Sequence, residues 1–148
     1  DRTPSIQFIS KGDSVSDYYG EKLYDQFVAN LIDSVISGIS ANVSFSMLAP
    51  DGIGKPEQYT LYLEADGQLD KGLCNHLDEK LCANLHYAQC RRLGQLKKAR
   101  VFQIRQSANQ AYLLSSMNAG KRLGDIKPVK LSNSWGWSDT FRGNYLVS

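Results

Sequence analysis

The segment Asn42–Glu64, NVSFSMLAPDGIGKPEQYTLYLE, decides the fold. Its two ends, Asn42–Leu48 and Gln58–Glu64, alternate with period two, the repeat of a half-buried strand. The middle, APDGIGKPE, is rich in Gly and Pro, so the expectation is an antiparallel hairpin with a long loop. Gly52, Gly54 and Lys55 lack the G-x-x-x-x-G-K-[ST] spacing of a phosphate-binding loop. They also lie between strands, not between a strand and a helix, which excludes a dinucleotide-binding turn.

Helical patterns flank this hairpin. Upstream, Leu23, Phe27, Leu31 and Val35 step by four, with Val28, Ile32 and Ile36 on the neighbouring row. That spacing predicts a helix over about Gly20–Ser37 with a broad apolar face. Asp17 or Ser16 would accept bonds from its first N–H groups, and Gly38 would end it. Downstream, Leu69, Leu73, Leu77, Leu81 and Leu85 fall on strict four-residue steps. Such a stripe is core packing, contributing about 1.5–3 kcal/mol per buried leucine before chain ordering cancels most of it. A short helix over His86–Leu93 follows and stops at Gly94. Ala99–Arg105, ARVFQIR, reads as a further strand with Val101 and Ile104 inward, and a helix spans about Ser107–Lys121. Near the start, SIQFIS (Ser5–Ser10) reads as a strand that breaks at Lys11-Gly12-Asp13. DIKPVKLSN is a brief extended segment. The order predicts a single α+β domain over 1–148: a small mixed or antiparallel sheet of about four strands with three to four helices. Residues 1–18 form a strand and hinge region. The tail 132–148, with Trp135, Trp137, Phe141 and Tyr145, either docks on a surface or is poorly ordered.

The 148 residues are 42% hydrophobic, enough for a real core, and carry a net charge of +2. Nothing in that charge calls for nucleic acid or an anionic membrane, and no apolar stretch approaches a membrane span. The first ten residues lack the pattern of a signal peptide, and the chain begins without Met, as a processed or excised piece would. Three cysteines without a CxxC pair favour reduced thiols and a cytoplasmic setting. Cys82, His86 and Cys90 would share one face of a continuous helix, but a zinc site there would lack a fourth ligand, and packing is the better reading.

No self-sufficient active site emerges. Only His76 and His86 are available, and the strained G-x-S-x-G turn is absent. Asp78-Glu79 sit on a helix, where a solvated face is the default. Two basic clusters remain: Arg91-Arg92 with Lys97-Lys98, and Lys121-Arg122 with Lys127 and Lys130. Each is either a phosphate contact or a solvated turn at a helix end.

ISKGDSVSDYYGEKLYDQFV, with Gly20-Glu21-Lys22-Leu23 as its sharpest phrase, resembles the linker and first helix of a particular C-terminal domain. That domain belongs to the auxin-responsive-promoter family of acyl-acid amido synthetases, especially its bacterial members. LDEKLCANLHYAQCRRLGQLKKARVFQI (Leu77–Ile104) and the later GDIKPVKL are similar to the same family. The resemblance implies a two-domain adenylate-forming ligase. A large N-terminal adenylating domain would bind ATP with Mg and a small carboxylic acid. An amine, usually an amino acid, would then attack the acyl-adenylate. This chain would be the swivelling lid, inactive alone and holding no cofactor of its own, with that N-terminal domain as its partner and no nucleic acid or membrane. By the same resemblance Lys11, Gly12 and Asp13 form the hinge. Lys11 and Lys127 are the catalytic candidates, and Lys11, Lys127 and Lys130 the phosphate contacts. The lysine of the glycine-bounded loop in acyl-CoA synthetases has only a rough positional counterpart in Lys127. The rival expectation is a non-catalytic α+β interaction module that docks through its aromatic tail. An RNA-binding module of RRM type fits less well, since ARVFQIR carries one central aromatic.

Overall fold

The computed structural model describes residues 15–127 and 129–146. The predicted hairpin forms one side of the main sheet. Strands β3 (Val43–Asp51) and β4 (Gln58–Ala65) pair antiparallel, with Leu48 opposite Leu61. Strand β5 (Arg100–Gln106) lies parallel to β4, so the chain between them must cross over the sheet. Helices α2 (Leu73–Leu81) and α3 (Leu85–Arg92) make that crossover. The fourth strand, β6 (Arg142–Tyr145), comes from the aromatic tail and pairs antiparallel with β5. The sheet order is β3-β4-β5-β6, a mixed four-stranded sheet in an α+β fold. Gly143 of β6 crosses β5 so closely that a Cβ would lie 2.0 Å from the Gln103 carbonyl oxygen.

Both faces of the sheet are covered. Helix α1 (Asp25–Ser37) packs with α2 and α3 on one face, through Val28, Ile32, Leu77 and Leu81 against Leu48, Leu61, Leu63 and Val101. On the other face lie α4 (Ala108–Asn118) and the short α5 (Trp137–Thr140). Here Phe45, Tyr62, Phe102, Tyr112 and Phe141 form an aromatic cluster, with Tyr62 and Phe141 ring centroids 5.4 Å apart. A short 3-10 turn, Leu123–Asp125, leads into a segment that runs beside β3.

Two helical boundaries differ from the sequence expectation. Helix α1 begins at Asp25, not Gly20. Residues before it form a small antiparallel hairpin, β1 (Val15–Ser16) with β2 (Leu23–Tyr24). Gly20 and Lys22 hold φ of 97° and 44°, which no helix accepts. Glu21 turns inward instead. Its buried carboxylate accepts the backbone N–H groups of Tyr18 (2.9 Å) and Tyr19 (2.7 Å) and the Tyr59 hydroxyl (2.5 Å). Tyr59 spends its one proton on Glu21, so the Ser16 hydroxyl 2.6 Å away donates to Tyr59. Second, the leucine stripe ends one step early. Leu69, Leu73, Leu77 and Leu81 are buried, but Leu85 is 81% exposed. Helix α2 has stopped, and Asn84 caps α3 by accepting from His86 N (2.8 Å) and Tyr87 N (3.1 Å). The same break removes the continuous helix that a Cys82–His86–Cys90 face required. Cys90 Sγ donates to the Tyr19 carbonyl, and burial pushes both the Cys82 and Cys90 thiols up.

Candidate functional site

The hinge candidates Lys11, Gly12 and Asp13 lie outside the described residues. Lys127 and Lys130 lie on the segment that flanks the free edge of β3. Leu48 N donates to Lys130 O (2.8 Å) and Ser132 N donates to Leu48 O (2.9 Å), so the segment runs parallel to β3. Tyr112 Oη donates to the Lys127 carbonyl (3.2 Å), fixing the backbone that carries the exposed Lys127 side chain. Lys130 Nζ donates to Ser46 Oγ at 2.8 Å. Two lysines on one anchored strip can present positive charge to a phosphate.

The other basic cluster is committed internally. Arg91 Nε donates to both oxygens of Asp78, each at 3.1 Å, and its Nη2 sits 3.1 Å from Asp78 Oδ2. Tyr87 Oη (2.6 Å) and Ala99 N (3.1 Å) complete the set of donors to that carboxylate. Asp78 is thus buried, not a solvated helix residue, because the end of α3 and the start of β5 converge on it. The pair holds the Arg91 guanidinium even further above its ordinary range. Lys97 pairs with Glu57 (3.1 Å), and Lys98 donates to Asn75 Oδ1 (2.8 Å).

A polar cluster that the sequence did not reveal occupies one end of the sheet. Asp51, at the end of β3, accepts from Thr60 Oγ1 (2.9 Å), Arg100 Nη2 (3.1 Å) and Tyr145 Oη (2.5 Å). The Arg100 guanidinium stacks 3.9 Å above the Tyr145 ring, a cation–π contact. Beneath them the fully buried Tyr62 hydroxyl has no partner among the described residues, and the same is true of Arg100 Nε. Burial, then the nearby Asp51 carboxylate and Tyr145, keep the Tyr62 phenol neutral far above its usual range. The cluster floors an open cleft of about 900 Å³ between the 51–58 loop, Lys97, Lys98 and residues 135–139. Lys127 and Lys130 do not line it. The only advance signal was Asp51 at the mouth of a Gly-rich loop; its partners come from distant strands. Among the described residues no group of three or more His, Cys, Asp or Glu side chains converges as a metal site, and no helix is long and apolar enough to cross a membrane.

A two-faced mixed sheet of this connectivity is a fold shared with a solved "GH3.15 acyl acid amido synthetase": TM-score 0.62, 12% sequence identity, covering 80% of this chain. The chain spans about a quarter, 24%, of that protein's length. No curated protein sequence matches. The family model for the GH3 family C-terminal domain matches residues 25–135, three-quarters of the chain, and the chain therefore belongs to the GH3 family.

Proposed function

We propose that this chain is the mobile C-terminal domain of an ATP-dependent acyl-acid amido synthetase of bacterial type, working in the cytoplasm and inactive alone. The observation that carries this reading is the family match over 25–135 in a chain that covers 24% of its solved relative. An N-terminal domain of the parent would bind ATP, Mg²⁺ and a small carboxylic acid. Attack of the carboxylate on the α-phosphate forms an acyl-adenylate and releases pyrophosphate. An amine then displaces AMP and forms the amide. The lid would close over these steps, keep water from the adenylate and bring cations to the phosphates. Lys127 suits that role because its side chain is exposed on a backbone that Tyr112 anchors. Lys130 and Lys11 are the further phosphate contacts, and Gly12, between Lys11 and Asp13, supplies the pivot.

Pyrophosphate exchange by the full-length parent tests the reading. Lys127→Ala should slow adenylation about 10²–10³-fold, the cost of removing one transition-state donor. An unchanged rate would remove Lys127 from the site. Turnover by the isolated domain would contradict its role as a lid. A second reading, a non-catalytic interaction module, draws on the exposed Ile53 and Trp135; a parent that neither exchanges pyrophosphate nor forms amides would favour it.

A further inference from the structure

We infer that the loop end of the sheet, led by Ile53 and Trp135, is the face that docks on the N-terminal domain of the same polypeptide. This rests on the lid reading but concerns which surface is used.

Three loops place large apolar groups in solvent at this one end. Ile53, at the tip of the β3–β4 loop, is 93% exposed; Trp135 is 42% and Tyr18 38% exposed. Tyr18 and Trp135 meet edge to face with ring centroids 5.7 Å apart, and the Tyr18 hydroxyl donates to the Asn133 carbonyl. Ile53 and Trp135 line the same cleft.

The loop that presents Ile53 is held, not loose. Glu57 N donates to Asp51 O (2.8 Å), Lys97 N donates to Glu57 O (2.9 Å), and Tyr19 Oη donates to Pro56 O (2.5 Å). At Gly52 a Cβ would sit 2.0 Å from the Lys55 carbonyl oxygen, so the turn closes only around glycine. A rigid loop with a bare isoleucine at its tip is a pre-organised anchor, since little entropy remains to be lost on docking. Cations and carboxylates alternate around it: Lys55 and Lys97 with Glu57, Arg100 with Asp51. A near-neutral polar rim around apolar anchors is the make-up of a protein interface, not of a nucleic-acid or membrane surface.

Chain continuity identifies the occupant. Val15, three residues from Tyr18, is the first described residue, so the described fold begins at this end of the domain. Most of the solved relative's length lies outside the matched part.

The test is thiol labelling of the full-length parent, with and without ATP and carboxylic acid, using Ile53→Cys and a control, Leu114→Cys, on the exposed side of α4. Native Cys74 and Cys90 are buried and Cys82 is half-buried, and mass spectrometry separates their peptides from the new sites. In at least one state the thiol at position 53 should react about tenfold more slowly than that at 114, an open fraction near one in ten. Equal rates in every state would overturn the proposal, and so would equal protection of both sites. Protection at position 53 that vanishes on dilution would assign the surface to a second copy and overturn it too. The readout needs no turnover. A parent that fails to exchange pyrophosphate yet protects position 53 would therefore sink the ligase reading and leave this one standing.

Discussion

The two faces of the sheet solve burial differently. On the α1–α3 face, aliphatic rows from two helices meet Leu48, Leu61, Leu63 and Val101, and the buried tyrosines there are fully partnered: Tyr59 by Ser16 and Glu21, Tyr87 by Asp78. On the α4–α5 face the filling is aromatic, drawn from the sheet, one helix and the tail, and Tyr62 keeps a hydroxyl without a partner among the described residues. The helical face satisfies its buried hydroxyls, Tyr87 from nine residues away and Tyr59 from 38 and 43. A face assembled from distant segments leaves a polar group buried in an aromatic pack, beside the open cleft.

Truncations should break that contrast first. Phe141→Ala should cost about 3–5 kcal/mol, because it empties the space between Phe45 and Tyr62. Leu77→Ala on the opposite face should cost about 2–5 kcal/mol in the same denaturant titration. Only Phe141→Ala should also speed amide exchange in β6, the adjacent strand. Equal exchange in the two variants would mean that the faces are not independent. Tyr59→Phe should lose about 1–3 kcal/mol, since it takes a donor from buried Glu21.

Alkali probes both faces together. Tyr59, Tyr62 and Tyr87 have pKa values raised above the ordinary 10.0, chiefly by burial. Above pH 10 the unfolded chain gives up these protons while the folded one keeps them, so stability falls as pH rises. The slope should be about 1.4 kcal/mol per pH unit for each tyrosine. Thermal melts between pH 10 and 11 measure it; a flat profile would refute the burial of these phenols. The smallest effect separates the faces most sharply. Tyr62→Phe removes a hydroxyl that makes no bond among the described residues, so its cost should be about zero, or the change slightly stabilising. A loss as large as that of Tyr59→Phe would show that the hydroxyl is bonded after all.

The same contrast explains what the sequence revealed. The hairpin, the crossover helices and β5 were legible because their periods are local: strand alternation in 58–64 and four-residue leucine steps need no knowledge of the rest of the chain. The expected start of α1 failed because Glu21, ordinary in a first helical turn, serves better as a buried acceptor for Tyr59, 38 residues away. The fourth strand was hidden because RGNY has no strand periodicity; β5 imposes its conformation, and Gly143 permits the close crossing. The Asp51 cluster was invisible for a related reason. Arg100 is 49 and Tyr145 94 residues from Asp51, and only the folded sheet makes them neighbours. Lys127 and Lys130 came from the basic cluster around KRLGDIKPVK and from resemblance; DIKPVKLSN read as a brief extended segment, but nothing local said that it would run along β3.

Strand β6 also sets a timetable. Of the sheet's strands it is the last to leave the ribosome, which emits about 5–20 residues per second. Until Arg142–Tyr145 emerge, a nascent chain offers the bare edge of β5, beside Phe102, to any passing strand or holdase. Chaperone crosslinks to arrested translation products should persist through Trp137 and vanish once Tyr145 has cleared the exit tunnel.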